Sequence, residues 1–210
     1  MQFYGKRILF LGAHPDDIEL GCGALLARIS LNTEAHCVTL SDNQHNPLLT
    51  KLVDEHYKSM AALGISRERV TVSNFITRRF MESRQDILEF LISLNKKIQP
   101  DIVFVHTQHD LHQDHTTVTN EALRAFRGTT LLGFDVLRSS NGFFPHFLVE
   151  VDEMDVKKKI AALSEYKTYA DKYYFSEDVT RATMIRHGAL AGKPFAEGFD
   201  ILRIIGTFLE

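Results

Sequence analysis

Twice in this chain an apolar run short enough to be a buried strand ends in a cluster of ionisable residues and passes at once into a helical pattern. Arg7-Ile8-Leu9-Phe10-Leu11-Gly12 runs into Ala13-His14-Pro15-Asp16-Asp17, after which Ile18, Cys22, Leu25 and Ile29 recur at helical spacing. Asp101-Ile102-Val103-Phe104-Val105 leads to His109-Asp110-Leu111-His112-Gln113-Asp114-His115, and Thr116 to Phe126 continues as a helix. Continuous apolar runs mark strands covered on both faces, and strands alternating with helices build parallel sheets. The expected fold is therefore α/β, a Rossmann-like three-layer domain with a mainly parallel sheet. Pro15 suits a first helical turn, where two aspartates are also favoured. Ligands of open α/β sheets bind outside the carboxyl ends of the strands. Both clusters then open onto one edge.

The second cluster holds five ionisable groups in seven residues, an odd way to cap a helix. Neutral imidazole and carboxylate suit Zn²⁺, and a catalytic zinc needs three protein ligands and one water, so two histidines and an aspartate would suffice. His112 and His115 are three apart and share a face if helical, so one can bind metal while the other faces substrate. Asp114 could fix an imidazole tautomer from behind.

Together these motifs resemble the signature pair of the LmbE-like (PIG-L) family of zinc-dependent sugar N-deacetylases. The strand and helix order and the late Ala196-Glu197-Gly198-Phe199 segment are also similar to that family. The resemblance implies one deacetylase domain over residues 1–210, with His14, Asp17 and His115 as Zn²⁺ ligands. It implies Asp16 as general base on the metal's water, and His112, supported by Asp114, as oxyanion stabiliser and acid for the leaving amine. Amide hydrolysis needs an activated water, a stabilised oxyanion and a proton for the departing nitrogen, and zinc, Asp16 and His112 cover these. The implied substrate is a small amino-sugar compound that loses an N-acetyl group. Tyr169 stands where members often carry glutamine, and Leu52 where many carry arginine.

The remaining chain suggests how a substrate is held. Arg78, Arg79 and Arg84 follow an expected strand over 69–73, and three arginines in a chain of net charge −3 suggest a local anion site for phosphate or carboxylate. His45, in the polar loop 42–47, and Asp110 are further candidates for substrate contact. Aromatics of the loop 138–145 could pack on a sugar ring or form a subunit contact, which leaves a homo-oligomer open. Further strands are expected over 130–137, 146–151 and 200–206, and helices over 48–63, 84–98, 156–169 and 176–189. The Lys157-Lys158-Lys159 run reads as a solvated face.

Net charge −3 and a pI near 6.4 give no basic field for nucleic acid or a membrane surface. No run approaches the roughly 20 apolar residues of a spanning helix, so a soluble cytoplasmic protein with two reduced cysteines is expected. Two rivals stand beside the deacetylase: a zinc amidase or esterase for non-sugar acyl groups, and a non-catalytic nucleotide-binding protein. The second draws on Gly21-Cys22-Gly23, but those glycines lie about two turns past the strand, where they serve close helix packing better than a phosphate.

Overall fold

The computed structural model describes residues 2–206. Seven strands form one sheet: β1 (Arg7–Gly12), β2 (Glu34–Thr39), β3 (Val70–Val72), β4 (Ile102–His106), β5 (Thr130–Phe134), β6 (Phe147–Val151) and β7 (Phe195–Arg203). Their spatial order is β3-β2-β1-β4-β5-β7-β6. The first five pair in parallel, while β7 runs antiparallel to both β5 and β6. This is the α/β architecture expected, with an antiparallel edge added.

Alternate residues of β1 serve opposite layers. Ile8 and Phe10 join the core under α1 (Asp17–Ile29), α2 (Leu52–Ala62) and α5 (Glu153–Ser164). Leu9 and Leu11 join the core under α3 (Arg84–Ile98) and α4 (Gln113–Ala125). Helices therefore cover both faces, which is why the parallel strands read as unbroken apolar runs. The last helix, α6 (Glu177–Ala191), is capped by the Ser176 hydroxyl accepting from Val179 N–H, as the sequence suggested. No helix among the described residues is long and apolar enough to cross a membrane.

Several boundaries differ from the sequence reading. The segment expected to be helical from 48 opens with a 3₁₀ turn, Pro47–Leu49, and α2 begins only at Leu52. Helix α5 starts earlier than expected because Asp152 and Asp155 form a reciprocal capping box, and it ends at Ser164. The closing strand begins at Phe195, so the Ala196-Glu197-Gly198-Phe199 segment lies inside the sheet.

Helix α1 is broken in its middle. Cys22 has φ −146° and ψ 25°, so the helical ladder is interrupted there. The Glu197 carboxylate accepts from the N–H groups of Ala24 (3.0 Å) and Leu25 (2.7 Å), and Lys159 Nζ donates to the Leu20 carbonyl and to Glu197, both at 2.7 Å. Side chains thus take over the hydrogen bonds that the break removes. Lys159 is buried, so the lysine run is not wholly a solvated face as its composition implied. Gly21 is required by contact: a Cβ there would meet the Phe134 ring at 2.2 Å, which supports the packing role for this glycine.

Candidate metal centre and active site

Strands β1 and β4 are neighbours, and connections leave them in opposite directions, so the crevice at their C-terminal ends is the switch point of the sheet. The turn after β1 places His14 and Asp17. Asp17 Oδ2 accepts from His14 N–H at 2.7 Å, folding the turn back on itself. That closure holds Asp16 at φ 104°, a left-handed conformation that a non-glycine residue adopts at a cost of about 1–3 kcal/mol. The Asp16 side chain makes no capping hydrogen bond and instead lines a cavity of about 880 Å³.

The turn after β4 supplies the other half. Asp110 accepts from His112 N–H at 2.8 Å, and its second oxygen lies 2.8 Å from His115 Nδ1. Asp114, at the start of α4, reaches across to His14 Nε2 at 2.9 Å and also accepts from Arg78 N–H at 2.6 Å. Each of these imidazoles is therefore backed by a carboxylate, the arrangement that fixes tautomers in metal sites. His14 Nδ1 and His115 Nε2 are left facing each other at 3.3 Å.

Asp17 closes the cluster, with Oδ2 3.5 Å from His14 Nδ1 and Oδ1 3.4 Å from His115 Nε2. Ligands of a tetrahedral zinc with bonds of about 2.0–2.1 Å stand about 3.3–3.4 Å apart. Taken pairwise, the donor chemistry and spacing of His14, Asp17 and His115 fit such an ion, with a different Asp17 oxygen near each imidazole; His14, His112 and His115, and Asp17, His106 and His115, also bring donor atoms within 4.8 Å of one another. Burial opposes charge on His14, but hydrogen bonds to Asp114 and Asp17 outweigh it and raise its pKa to about 10. The carboxylates thus favour a positive charge at this point, the demand that a divalent cation meets.

The neighbouring groups are tuned apart. Burial, reinforced by the Asp17 carboxylate, pushes the Asp16 carboxyl well above the usual range. Burial would raise Asp17 too, yet His115 and His106 hold it well below. His112 Nδ1 accepts from Asp114 N–H at 3.1 Å, which assigns its proton to Nε2. Burial and the imidazoles of His115 and His14 lower the His112 pKa to about 4. The Asp114 carboxylate itself supports His14, not His112 as the resemblance implied; only its backbone reaches His112.

A family model described as GlcNAc-PI de-N-acetylase, PIG-L, matches residues 9–126, from β1 to the cap of α4 and so across both motifs. The chain belongs to the PIG-L family. The resemblance read from the two motifs is therefore its family in fact, and that family is one of deacetylases. YaiS of Escherichia coli K12, described as an uncharacterized deacetylase, is 34% identical over 170 residues, covering 78% of this chain and 91% of YaiS. The N,N'-diacetylchitobiose deacetylase of Pyrococcus horikoshii aligns with a TM-score of 0.73 at 20% identity, over 94% of this chain and 84% of its own. GalB of Pseudomonas putida KT2440, the 4-carboxy-2-hydroxymuconate hydratase, aligns at 0.74 and 18%, over 98% and 99%. At such identities the two structures share the fold alone, and GalB shows that the fold carries more than one chemistry.

Outside the PIG-L motifs the substrate-side expectations divide. Arg78 and His45 line the cavity. Arg79 and Arg84 do not: Arg79 pairs with Glu82 at 2.7 Å and Arg84 with the buried Glu121, so the expected three-arginine site is not assembled. Asp110 is spent on His115 and lies behind the site. Phe143 packs beside His187 and Phe144 beside His146, while Tyr169 and Tyr174 supply the aromatic walls of the cavity.

Two further features escaped the sequence reading. His106 stacks on His115 at 3.8 Å, and its Nε2 accepts from Ala13 N–H, so the two PIG-L turns are tied together beneath the candidate metal centre. It directly follows the apolar run of β4, a position that marks it. Glu19, His56 and Tyr166 form a buried network, with His56 Nδ1 3.0 Å from Glu19 and the Tyr166 hydroxyl donating to Glu19 at 2.5 Å. Its members are 147 residues apart at the widest, and no local pattern joins them.

Proposed function

We propose that this protein is a Zn²⁺-dependent N-deacetylase that hydrolyses the acetamido group of a small amino-sugar substrate to acetate and a free amine. The observation that carries the reading is the convergence of His14 Nδ1, Asp17 and His115 Nε2 beside Asp16 and His112 at one cavity. A zinc ion held by those three residues would contribute Lewis acidity, which polarises an amide carbonyl and makes water a nucleophile near neutral pH.

The protein's own groups account for the protons. Asp16, with a raised carboxyl pKa, takes a proton from the attacking water and is well matched to return it to the leaving nitrogen. His112, with its pKa lowered to about 4, stays neutral and presents Nε2–H as a hydrogen-bond donor to the oxyanion. On this reading His112 stabilises, and Asp16 carries the proton in both directions. The position of Asp16 at the cavity wall, unused as a cap, supports that role.

The test is a screen of the zinc-loaded protein against N-acetylglucosamine, its glycosides and N-acetylated non-sugar amines, scored for acetate. Release from the sugars alone is expected. Release from the non-sugar amines alone would transfer the site to the amidase reading, and failure to take up a stoichiometric divalent ion would end both.

A further inference from the structure

Two arginines line the cavity, Arg78 in the loop after β3 and Arg138 in the loop after β5, on opposite sides of β1 and β4 in the sheet. Neither has an acidic partner among the described residues, in contrast to Arg28, Arg79, Arg84, Arg124 and Arg181, each of which holds a carboxylate. The chain carries net charge −3, and Asp16, Asp17 and Asp171 also line the cavity, with the charge of Arg138 felt at Asp16, so the two guanidinium cations are a local feature and not part of a general field.

Arg78 is held in place by its backbone. It has φ 67°, a left-handed conformation for a non-glycine residue. Its N–H donates to Asp114 Oδ2 at 2.6 Å and its carbonyl accepts from the Gln113 side-chain amide. Asp114 holds His14 as well, so the root of the Arg78 side chain is fixed relative to the proposed metal ligands. Backbone strain kept in place by such contacts is characteristic of ligand clamps. Across the cavity the Arg138 guanidinium stands 5.8 Å above the Tyr174 ring, and Tyr174 is itself a lining residue. The space of about 880 Å³ is near the upper end of the roughly 300–1,000 Å³ that encloses drug-sized ligands, more than an acetamido group requires.

We infer that Arg78 and Arg138 form a two-sided anion clamp, and that the substrate carries a carboxylate or phosphate group held there while its acetamido group lies against Asp16 and His112. The planar guanidinium fork matches both anions. This inference rests on the deacetylase reading for the orientation of the substrate, but the clamp itself is separable from catalysis.

The experiment compares three matched compounds with the zinc-loaded protein: N-acetylglucosamine 1-phosphate, carboxymethyl N-acetylglucosaminide and the neutral methyl N-acetylglucosaminide. Either charged compound should exceed the neutral one about tenfold to a hundredfold in kcat/KM, and the better of the two identifies the anion. Arg78→Ala and Arg138→Ala should each remove most of that advantage through KM, Arg138→Lys should restore part of it, and Arg79→Ala should retain it. Both side chains are exposed, so their removal leaves the cores intact. Equal kcat/KM for all three compounds overturns the clamp and leaves the deacetylase standing. If none releases acetate, the deacetylase reading fails, and calorimetric binding of glucosamine 1-phosphate and of carboxymethyl glucosaminide, each against methyl glucosaminide, decides the clamp alone. Absence of a charge preference for either anion, or a preference that survives the double Arg78→Ala/Arg138→Ala change, overturns it.

Discussion

At the break in α1, Lys159 and Glu197 are buried 2.7 Å apart, and their remaining hydrogen-bonding capacity goes to Leu20, Ala24 and Leu25. At the start of the same helix, His14, Asp17 and His115 are equally buried, but their free nitrogens and oxygens face one another at 3.3–3.5 Å. Both regions bury charge at considerable cost. The first closes its accounts internally and serves the backbone. The second turns donor atoms of three side chains toward a shared space, an arrangement that a bound cation would complete. Burial of ionisable groups therefore says little about function; what matters is whether their partners lie inside the protein.

That contrast can be broken most sharply at the reaction centre. His14→Ala should lose most bound zinc and nearly all activity while the protein still unfolds cooperatively, because the scaffold does not depend on a closed structural metal. Asp16→Asn should keep its zinc, measured by elemental analysis, and lose about 10² to 10⁴ in kcat. A loss below about tenfold would leave the base to be found elsewhere. The reverse pattern is expected at the helix break. Lys159→Met leaves Glu197 buried and uncompensated, so the unfolding free energy from urea titration should drop by about 3–5 kcal/mol with metal stoichiometry unchanged. A loss of zinc in Lys159→Met would erase the distinction between the regions.

Asp114→Asn sharpens the comparison from the side of the imidazoles. Removing the charge behind His14 should weaken zinc binding about 10- to 100-fold while the fold persists, measured by competition with a chelator. The smallest effect is expected at His187, which lines a pocket with Lys159 and Glu197 beside the helix break. Burial lowers its pKa from 6.5 to about 4, so it is neutral in the folded protein. The unfolded chain takes up a proton first as pH falls. The stability this residue permits is therefore present above about pH 6.5 and lost progressively down to about pH 4. That loss is on the order of 2 kcal/mol, and His187→Gln should flatten it in urea titrations at pH 7 and pH 4.5.

The parts of the molecule legible in sequence were those governed by local rules. The apolar runs of β1 and β4 announced buried parallel strands, and the ionisable residues after them announced the sheet edge where the site lies. The proposed ligands sit at strand ends and in the first turn of a helix, so chain order alone brought them together. Illegible parts depend on contacts across long separations. Nothing near Lys159 in sequence reveals that Glu197, 38 residues on, will meet it under a broken helix. Nor does the composition of 78–84 show that Arg79 and Arg84 will find Glu82 and Glu121 while Arg78 has no acidic partner among the described residues. A run of like charges is a statement about neighbours along the chain, and the third dimension reassigns each member separately.

The adjacency of β1 and β4 also imposes an order on biosynthesis. His14 and Asp17 leave the ribosome nearly 100 residues before His115, and the strand that pairs with β1 and leads to His115 is β4, residues Ile102–His106. A nascent chain that has emerged only through β3 can pair β1 with β2 but holds half of the proposed metal site. Capture by the full set of proposed ligands would await the long-range closure of β1 on β4, a slow kind of contact because distant segments must first find each other. Metal loading would then report the pairing of β1 with β4, before β5, β6 and β7 need be in place, and a chain stalled before Ile102 would emerge without a competent site.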